Sequence, residues 1–194
     1  MHDLIDPMYS QLDQELLRKA RNIRLLGLDV DGVLTDGRLC INDKGEESKC
    51  FHVRDGHGIK TLISAGIPVA LISARQSAAV ACRVRELGIP HYLSARSDKA
   101  TALQELMKTC GVRADEVCYV GDDLLDLPIL RQAGLAITVA DGHFSLKACC
   151  HWQTHNRGGQ GAVREVCDLL LYAHDLLAAI VIEHLIPQQN PESV

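Results

Sequence analysis

Two groups of acids stand at the ends of apolar runs. Asp29 and Asp31 close the run over residues 23–30. A spacing of two along a strand sends both carboxylates to one side, and Gly32 lets the backbone turn away behind them. By itself an Asp-x-Asp is also what a solvated strand-end turn looks like. Gly121-Asp122-Asp123-Leu124-Leu125-Asp126 follows a second apolar run, 117–120. Acids converging from two neighbouring strand ends repel one another unless a hard divalent cation neutralises them, and a site of few carboxylates completed by water and phosphate suits Mg²⁺. Asp123 alone is equally explained as a cap or an acidic first helical turn.

Ser73 ends a third apolar run, 67–72, and offers a hydroxyl beside helix amides that bind anions, although a plain helix cap has the same appearance. Lys99 is oddly placed: at the start of a predicted helix its cation opposes the dipole, and a local anion would account for it, as would simple solvation.

The elements that must position these residues follow from periodicity. The apolar runs 23–30, 67–72, 90–93, 117–120 and 135–139 alternate with helical patterns over 58–65, 76–87, 99–109 and 124–133. Such alternation predicts βαβ units with right-handed crossovers, hence an α/β, Rossmann-like three-layer fold whose central parallel sheet presents ligands at the carboxyl ends of its strands. Residues 37–53 break the rhythm: two strand-like stretches surround Asn42-Asp43-Lys44-Gly45, predicting an inserted β-hairpin. A helix is expected within residues 1–22, another over 162–185, and a frayed tail over 186–194. The Gly158-Gly159-Gln160-Gly161 run, without a P-loop Lys-Ser/Thr, reads as a flexible approach to the last helix.

Composition narrows the function classes. A chain of 194 residues, 47% hydrophobic, has enough apolar surface for one sizeable core. The net charge of -5 and dispersed basic residues argue against a nucleic-acid partner. Eight cysteines without a CxxC pair read as reduced thiols. The start, Met-His-Asp-Leu-Ile-Asp, has no signal-peptide pattern, so a cytoplasmic protein is expected. The apolar stretch 169–186 carries His174, Asp175, Glu183 and His184, which argues against a membrane span. His151 and His155 are spaced to bridge a metal on a helix, but Trp152, Thr154 and Asn156 around them read as strand or loop.

Taken together, Asp29-Val30-Asp31-Gly32-Val33-Leu34-Thr35, then Ser73, Lys99 and Gly121-Asp122-Asp123-x-x-Asp126, resemble the four motifs of the haloacid dehalogenase superfamily in order and spacing. The resemblance implies Asp29 as nucleophile, Asp31 as general acid and base, Ser73 and Lys99 as phosphate ligands, and Asp122 as a metal ligand supported by Asp126 or Asp123. Asp at position 31, where ATPases of that superfamily typically carry Thr, favours a phosphatase over an ion pump. The stretches Phe51-His52-Val53-Arg54-Asp55-Gly56-His57-Gly58-Ile59, Val139-Ala140-Asp141-Gly142 and Gly158 to Val166 are similar to the 3-deoxy-manno-octulosonate 8-phosphate phosphatases, which lack a large cap domain.

That closer resemblance implies a phosphorylated eight-carbon sugar acid as substrate; the alternatives are a related nine-carbon sialic-acid phosphate and a non-catalytic binding module of the same fold, against which the four filled motif positions argue. It implies His52, Val53, Arg54, Asp55, Gly56, Lys60, Arg75, Arg83 and Lys99, with Asp31, as substrate contacts. It also implies Mg²⁺ held by Asp29, Asp122 and the Asp31 carbonyl, and a homotetramer in which the hairpins of neighbouring subunits pair. Ser73-Ala74-Arg75 stands here in place of the family's Thr-Gly-Arg, keeping the hydroxyl and arginine on a less permissive turn.

Overall fold

A computed structural model describes residues 7–185. Five apolar runs become the parallel strands β1 (Leu25–Leu28), β4 (Val69–Ile72), β5 (His91–Leu93), β6 (Val117–Gly121) and β7 (Leu135–Thr138). With β8 (Trp152–Gln153) at one edge they form a sheet in the order β5-β4-β1-β6-β7-β8, every pair parallel. In β1 and β4 every residue is buried, as expected of strands covered on both faces.

Strand alternation divides the core in two. Leu26, Leu28, Val69, Leu71, Cys118 and Val120 face α2 (Gln14–Arg21), α3 (Val53–Ser64), α4 (Ala78–Leu87) and α7 (Ala162–Ala173). Leu25, Ala70, Ile72, Val117 and Tyr119 face α5 (Lys99–Cys110) and α6 (Leu127–Leu130). The chain is thus a three-layer α/β fold, as its periodicity predicts. The carboxyl ends of β1 and β6, the two central strands, lie side by side, with Leu28 in register with Val120.

The inserted hairpin is present as β2 (Cys40–Ile41) and β3 (Glu47–Ser48), antiparallel and separate from the main sheet. Its turn is closed by Asn42, whose side-chain oxygen accepts the Lys44 and Glu46 amides at 3.0 and 2.9 Å. Leu39 and Ile41 remain exposed.

Several boundaries differ from expectation. Helix α3 begins at Val53, five residues early, because its glycines serve packing: Gly58 lies against Arg164 and Cys167 of α7. The helix expected over 162–185 is two helices, α7 and α8 (Leu177–Leu185), broken where Asp175 adopts φ +61°. The N-terminal helix is also two pieces, α1 (Pro7–Ser10) and α2; residues 1–6 and the tail 186–194 lie outside the described residues. The expected helix over 124–133 is a 3₁₀ turn at Leu124–Asp126 followed by the short α6. The eight cysteines are free thiols. Among the described residues no helix is long and apolar enough to cross a membrane.

The glycine run before α7 is a close-packed joint rather than a flexible approach. The Gly159 amide donates to the Val33 carbonyl at 2.9 Å. A Cβ on Gly158 would stand 1.7 Å from the Gly32 carbonyl oxygen, so only glycine lets the two loops meet.

Candidate active site

Asp29 sits immediately past β1, its amide donating to the Val120 carbonyl at 3.0 Å, so the ladder between the central strands fixes the residue. At the end of β6 the chain turns through Asp122 and Asp123 into the 3₁₀ turn. Asp122 lies directly over Gly32: a Cβ at that glycine, which has φ +92°, would meet the Asp122 carboxylate at 2.0 Å. The glycine of the first motif therefore lets the two acidic loops close on each other. One carboxylate oxygen from each of Asp29, Asp122 and Asp126 falls within 4.8 Å of the others.

Lys99 threads between them from the first position of α5. Its Nζ lies 2.9 Å from Asp29 Oδ2 and 2.6 Å from Asp126 Oδ1, and the residue is buried. The unfavourable placement of a cation at a helix start is thereby offset by two buried acids. Burial alone would lower Lys99, but Asp29 and Asp126 hold its ammonium above its ordinary value. Burial first, and then the charge of Asp126, pushes Asp29 up to about 6 against the pull of Lys99. Burial, Asp29 and Asp126 push Asp122 up to about 8. One lysine does not balance three acids in so dry a place.

The hydrogen bonds separate the two acids of the last motif. Asp126 is fully buried and its lone pairs are committed: Oδ1 also accepts from the Tyr119 hydroxyl at 3.1 Å, and Oδ2 from the amides of Asp122 and Asp123 at 3.0 and 3.3 Å. It acts as a brace on Lys99 and the acidic loop. Asp123 is exposed and its carboxylate caps the Leu124 amide at 2.7 Å. Asp29 and Asp122 retain oxygens for a cation. Hard carboxylate donors with surplus negative charge fit Mg²⁺.

Ser73 and Arg75 close the other side. The Ser73 Oγ accepts the Arg75 amide at 3.1 Å, so the turn through Ala74 forms with a side-chain brace. Asp29, Asp31, Ser73, Arg75, Lys99 and Asp122 line one cavity of about 300 Å³. Sequence reasoning missed Glu47, Lys49 and Tyr119. The Lys49 ammonium bonds Asp31 and lies 2.8 Å from Glu47, which also bonds Arg75. The spacing of two between Glu47, in β3, and Lys49, just past it, was the available signal for that pair.

The remaining expected substrate contacts do not line this cavity within the chain. His52 is the N-cap residue of α3. Val53 is exposed, and Arg54 lines a different cavity with His155, Gln160 and Arg164. The Asp55 carboxylate is spent on the start of α7, accepting the Gly161 and Arg164 amides at 3.3 and 2.8 Å. Gly56 is buried beneath the Arg83 guanidinium, which also sits over the Phe51 ring and bonds Glu86 at 2.8 Å. Lys60 lies farther along α3, facing α8. Of this segment Phe51 and Gly56 meet Arg83, while Arg54, Asp55 and Lys60 face other parts of the chain. His151 and His155 make separate hydrogen bonds, to the Ala136 amide at 2.9 Å and to Glu165 at 2.8 Å.

A buried acid at the end of the central strand, a second acid two residues on, a buried lysine and an acidic loop from the neighbouring strand define a haloacid dehalogenase-like hydrolase, and residues 91–166 match the model of that class. The chain is 46% identical over 173 residues to the 3-deoxy-D-manno-octulosonate 8-phosphate phosphatase KdsC of Yersinia pestis, covering 89% of this chain and 92% of that protein. Identity to KdsC of Escherichia coli K12 is 44% over 169 residues, covering 87% and 90%. The crystal structure of the Moraxella catarrhalis phosphatase in complex with magnesium, phosphate and KDO superposes with a TM-score of 0.87 at 42% identity, covering 89% of this chain and 99% of that one. The cobalt-bound Haemophilus influenzae phosphatase superposes with a TM-score of 0.82 at 40% identity, covering 85% and 99%. Within the hydrolase class, this chain belongs to the 3-deoxy-D-manno-octulosonate 8-phosphate phosphatase family.

Proposed function

We propose that this chain is a magnesium-dependent phosphomonoesterase that hydrolyses 3-deoxy-D-manno-octulosonate 8-phosphate to the free sugar acid and phosphate, in lipopolysaccharide biosynthesis. The observation that carries it is the Asp29 carboxylate, held 2.9 Å from Lys99 in a cavity shared with Asp31, Ser73, Arg75 and Asp122. Asp29 attacks phosphorus and forms an aspartyl-phosphate, so hydrolysis is split into two displacements. Asp31 protonates the departing sugar alkoxide and then takes a proton from the attacking water. Ser73 donates to a phosphoryl oxygen, and Lys99 offsets the charge that develops there. When bound at Asp29, Asp122 and the Asp31 carbonyl, Mg²⁺ supplies further charge neutralisation on the phosphoryl group.

We further propose a cytoplasmic homotetramer in which each site is completed by a neighbour. Arg83, His52 to Gly56 and Lys60 are residues the family resemblance assigns to the substrate, yet none of them lines the cavity of its own chain. The exposed Leu39 and Ile41 of the hairpin offer a surface for assembly. Arg83 suits the sugar-acid carboxylate.

Release of inorganic phosphate from a panel of sugar-acid phosphates, with light scattering on the same sample, tests both parts. The reading requires the eight-carbon sugar-acid phosphate to lead the panel and a tetramer to carry the activity. Preference for N-acylneuraminate 9-phosphate, absence of turnover, or a fully active monomer would contradict it.

A further inference from the structure

The hairpin is largely exposed at Cys40, Ile41, Glu46 and Ser48, but the Lys49 side chain is fully buried, turned inward onto the reaction site. Its ammonium donates a hydrogen bond to Asp31 Oδ1. Among the described residues it is the one side chain that hydrogen-bonds this acid. Glu47 Oε1 lies 2.8 Å from the same ammonium, Glu47 Oε2 accepts from Arg75 Nη2, and Arg75 Nε stands 4.0 Å from Asp31 Oδ2. Asp31, Lys49, Glu47 and Arg75 thus alternate in sign around a closed ring whose formal charges cancel. Burying a lysine forfeits rotamer freedom and ammonium hydration, and both losses require fixed partners to offset them. Here one of those partners is the acid beside the candidate nucleophile.

We propose that Lys49 is a positioning residue for the reaction, holding Oδ1 of Asp31 so that Oδ2 is the oxygen that gives and takes the proton. The inference rests on Asp31 being the general acid and base. In the first displacement the Asp29–phosphorus bond forms, the bond from phosphorus to the sugar oxygen breaks, and the Oδ2 proton goes to that oxygen. In the second, water oxygen bonds phosphorus, its proton goes to Oδ2, and the Asp29 carboxylate leaves. Lys49 keeps its own protons throughout. A carboxyl tethered at one oxygen loses the rotation that would turn its proton away from the leaving group, which is where pre-organisation contributes to general acid catalysis.

The test compares first-turnover release of two leaving groups, the sugar alkoxide of 3-deoxy-D-manno-octulosonate 8-phosphate and the nitrophenolate of p-nitrophenyl phosphate, at saturating Mg²⁺. The first departs only with a proton; the second departs readily without one. Lys49→Met is expected to slow sugar release by roughly 10- to 100-fold, part of the general-acid contribution, and nitrophenolate release by less than about 3-fold. Lys49→Arg, which keeps the charge, is expected to recover most of the loss. Equal slowing of both substrates would show a merely structural role and overturn the inference, as would no slowing, or a raised KM with the first-turnover rate unchanged. Asp31→Asn separates the two layers: if it slows both releases equally, the role of Asp31 itself fails. Selective slowing in Asp31→Asn but not in Lys49→Met removes Lys49 alone.

Discussion

Replacing Asp126 by asparagine keeps the shape of a fully buried side chain and removes its charge. The native carboxylate accepts from Lys99 at 2.6 Å and Tyr119 at 3.1 Å on one oxygen, and from two backbone amides at 3.0 and 3.3 Å on the other. An amide cannot serve both ends, since its NH₂ faces donors whichever way it is turned. Turned toward the backbone it leaves the Asp122 and Asp123 amides unpaired, at about 1–3 kcal/mol for each buried donor. Turned toward Lys99 it breaks a buried ion pair, at about 3–5 kcal/mol.

Part of this cost is offset, because the Asp126 charge adds to burial in raising Asp29 and Asp122, and its loss relieves both. The net expectation is a loss of about 2–4 kcal/mol, or a fall in Tm of about 5–15 °C for a chain of this size. Thermal denaturation by circular dichroism in chelator, at pH 7, measures it. Asp123→Asn, at an exposed capping position, should change Tm by no more than about 2 °C. A fall below about 2 °C for Asp126→Asn, or an equal fall for both variants, would refute the division of labour between these acids.

Two further outcomes follow from the same geometry. Asp29 and Asp122 are raised from 3.8 to about 6 and about 8, so the folded state binds their protons more tightly than the unfolded chain does. Their contribution to stability is present below about pH 4 and is lost as pH rises through those values. Mg²⁺ binds the ionised carboxylates, so the Tm gained on replacing chelator with Mg²⁺ should be larger at pH 8.5 than at pH 5.5; an equal gain would show that these acids do not hold the metal. Gly158→Ala would set a Cβ 1.7 Å from the Gly32 carbonyl oxygen. It should destabilise by about 1–3 kcal/mol and lower kcat by displacing the nucleophile loop, and unchanged kinetics would show that this joint does not hold the site.

The acidic core of the site was legible because its signals are local. Asp29, Asp31, Asp122 and Lys99 stand at the ends of runs whose apolar character marks them as buried strands or helix starts, and the parallel-sheet rule brings those ends together. What escaped the sequence depends on contacts between distant segments. Helix α3 takes in Gly56 and Gly58 because Arg83, Arg164 and Cys167 pack closely there, overriding the low helix propensity of glycine. The break at Asp175 hides inside a continuous apolar stretch. Tyr119 reads as one more strand residue until its hydroxyl meets Asp126. Lys49 reads as a hairpin charge until the hairpin folds back on Asp31.

Covalent catalysis by Asp29 is the step on which the proposed phosphatase activity stands. Acid-quenching Asp31→Asn during turnover of p-nitrophenyl phosphate, reducing with borohydride and sequencing by mass spectrometry tests it most directly, because borohydride converts an aspartyl-phosphate to homoserine. With the general base removed, the phosphoenzyme accumulates, and homoserine is expected at position 29, dependent on Mg²⁺ and absent in the Asp29→Asn, Asp31→Asn double variant. Homoserine at another aspartate, or the same nitrophenolate burst with position 29 unmodified, would contradict it.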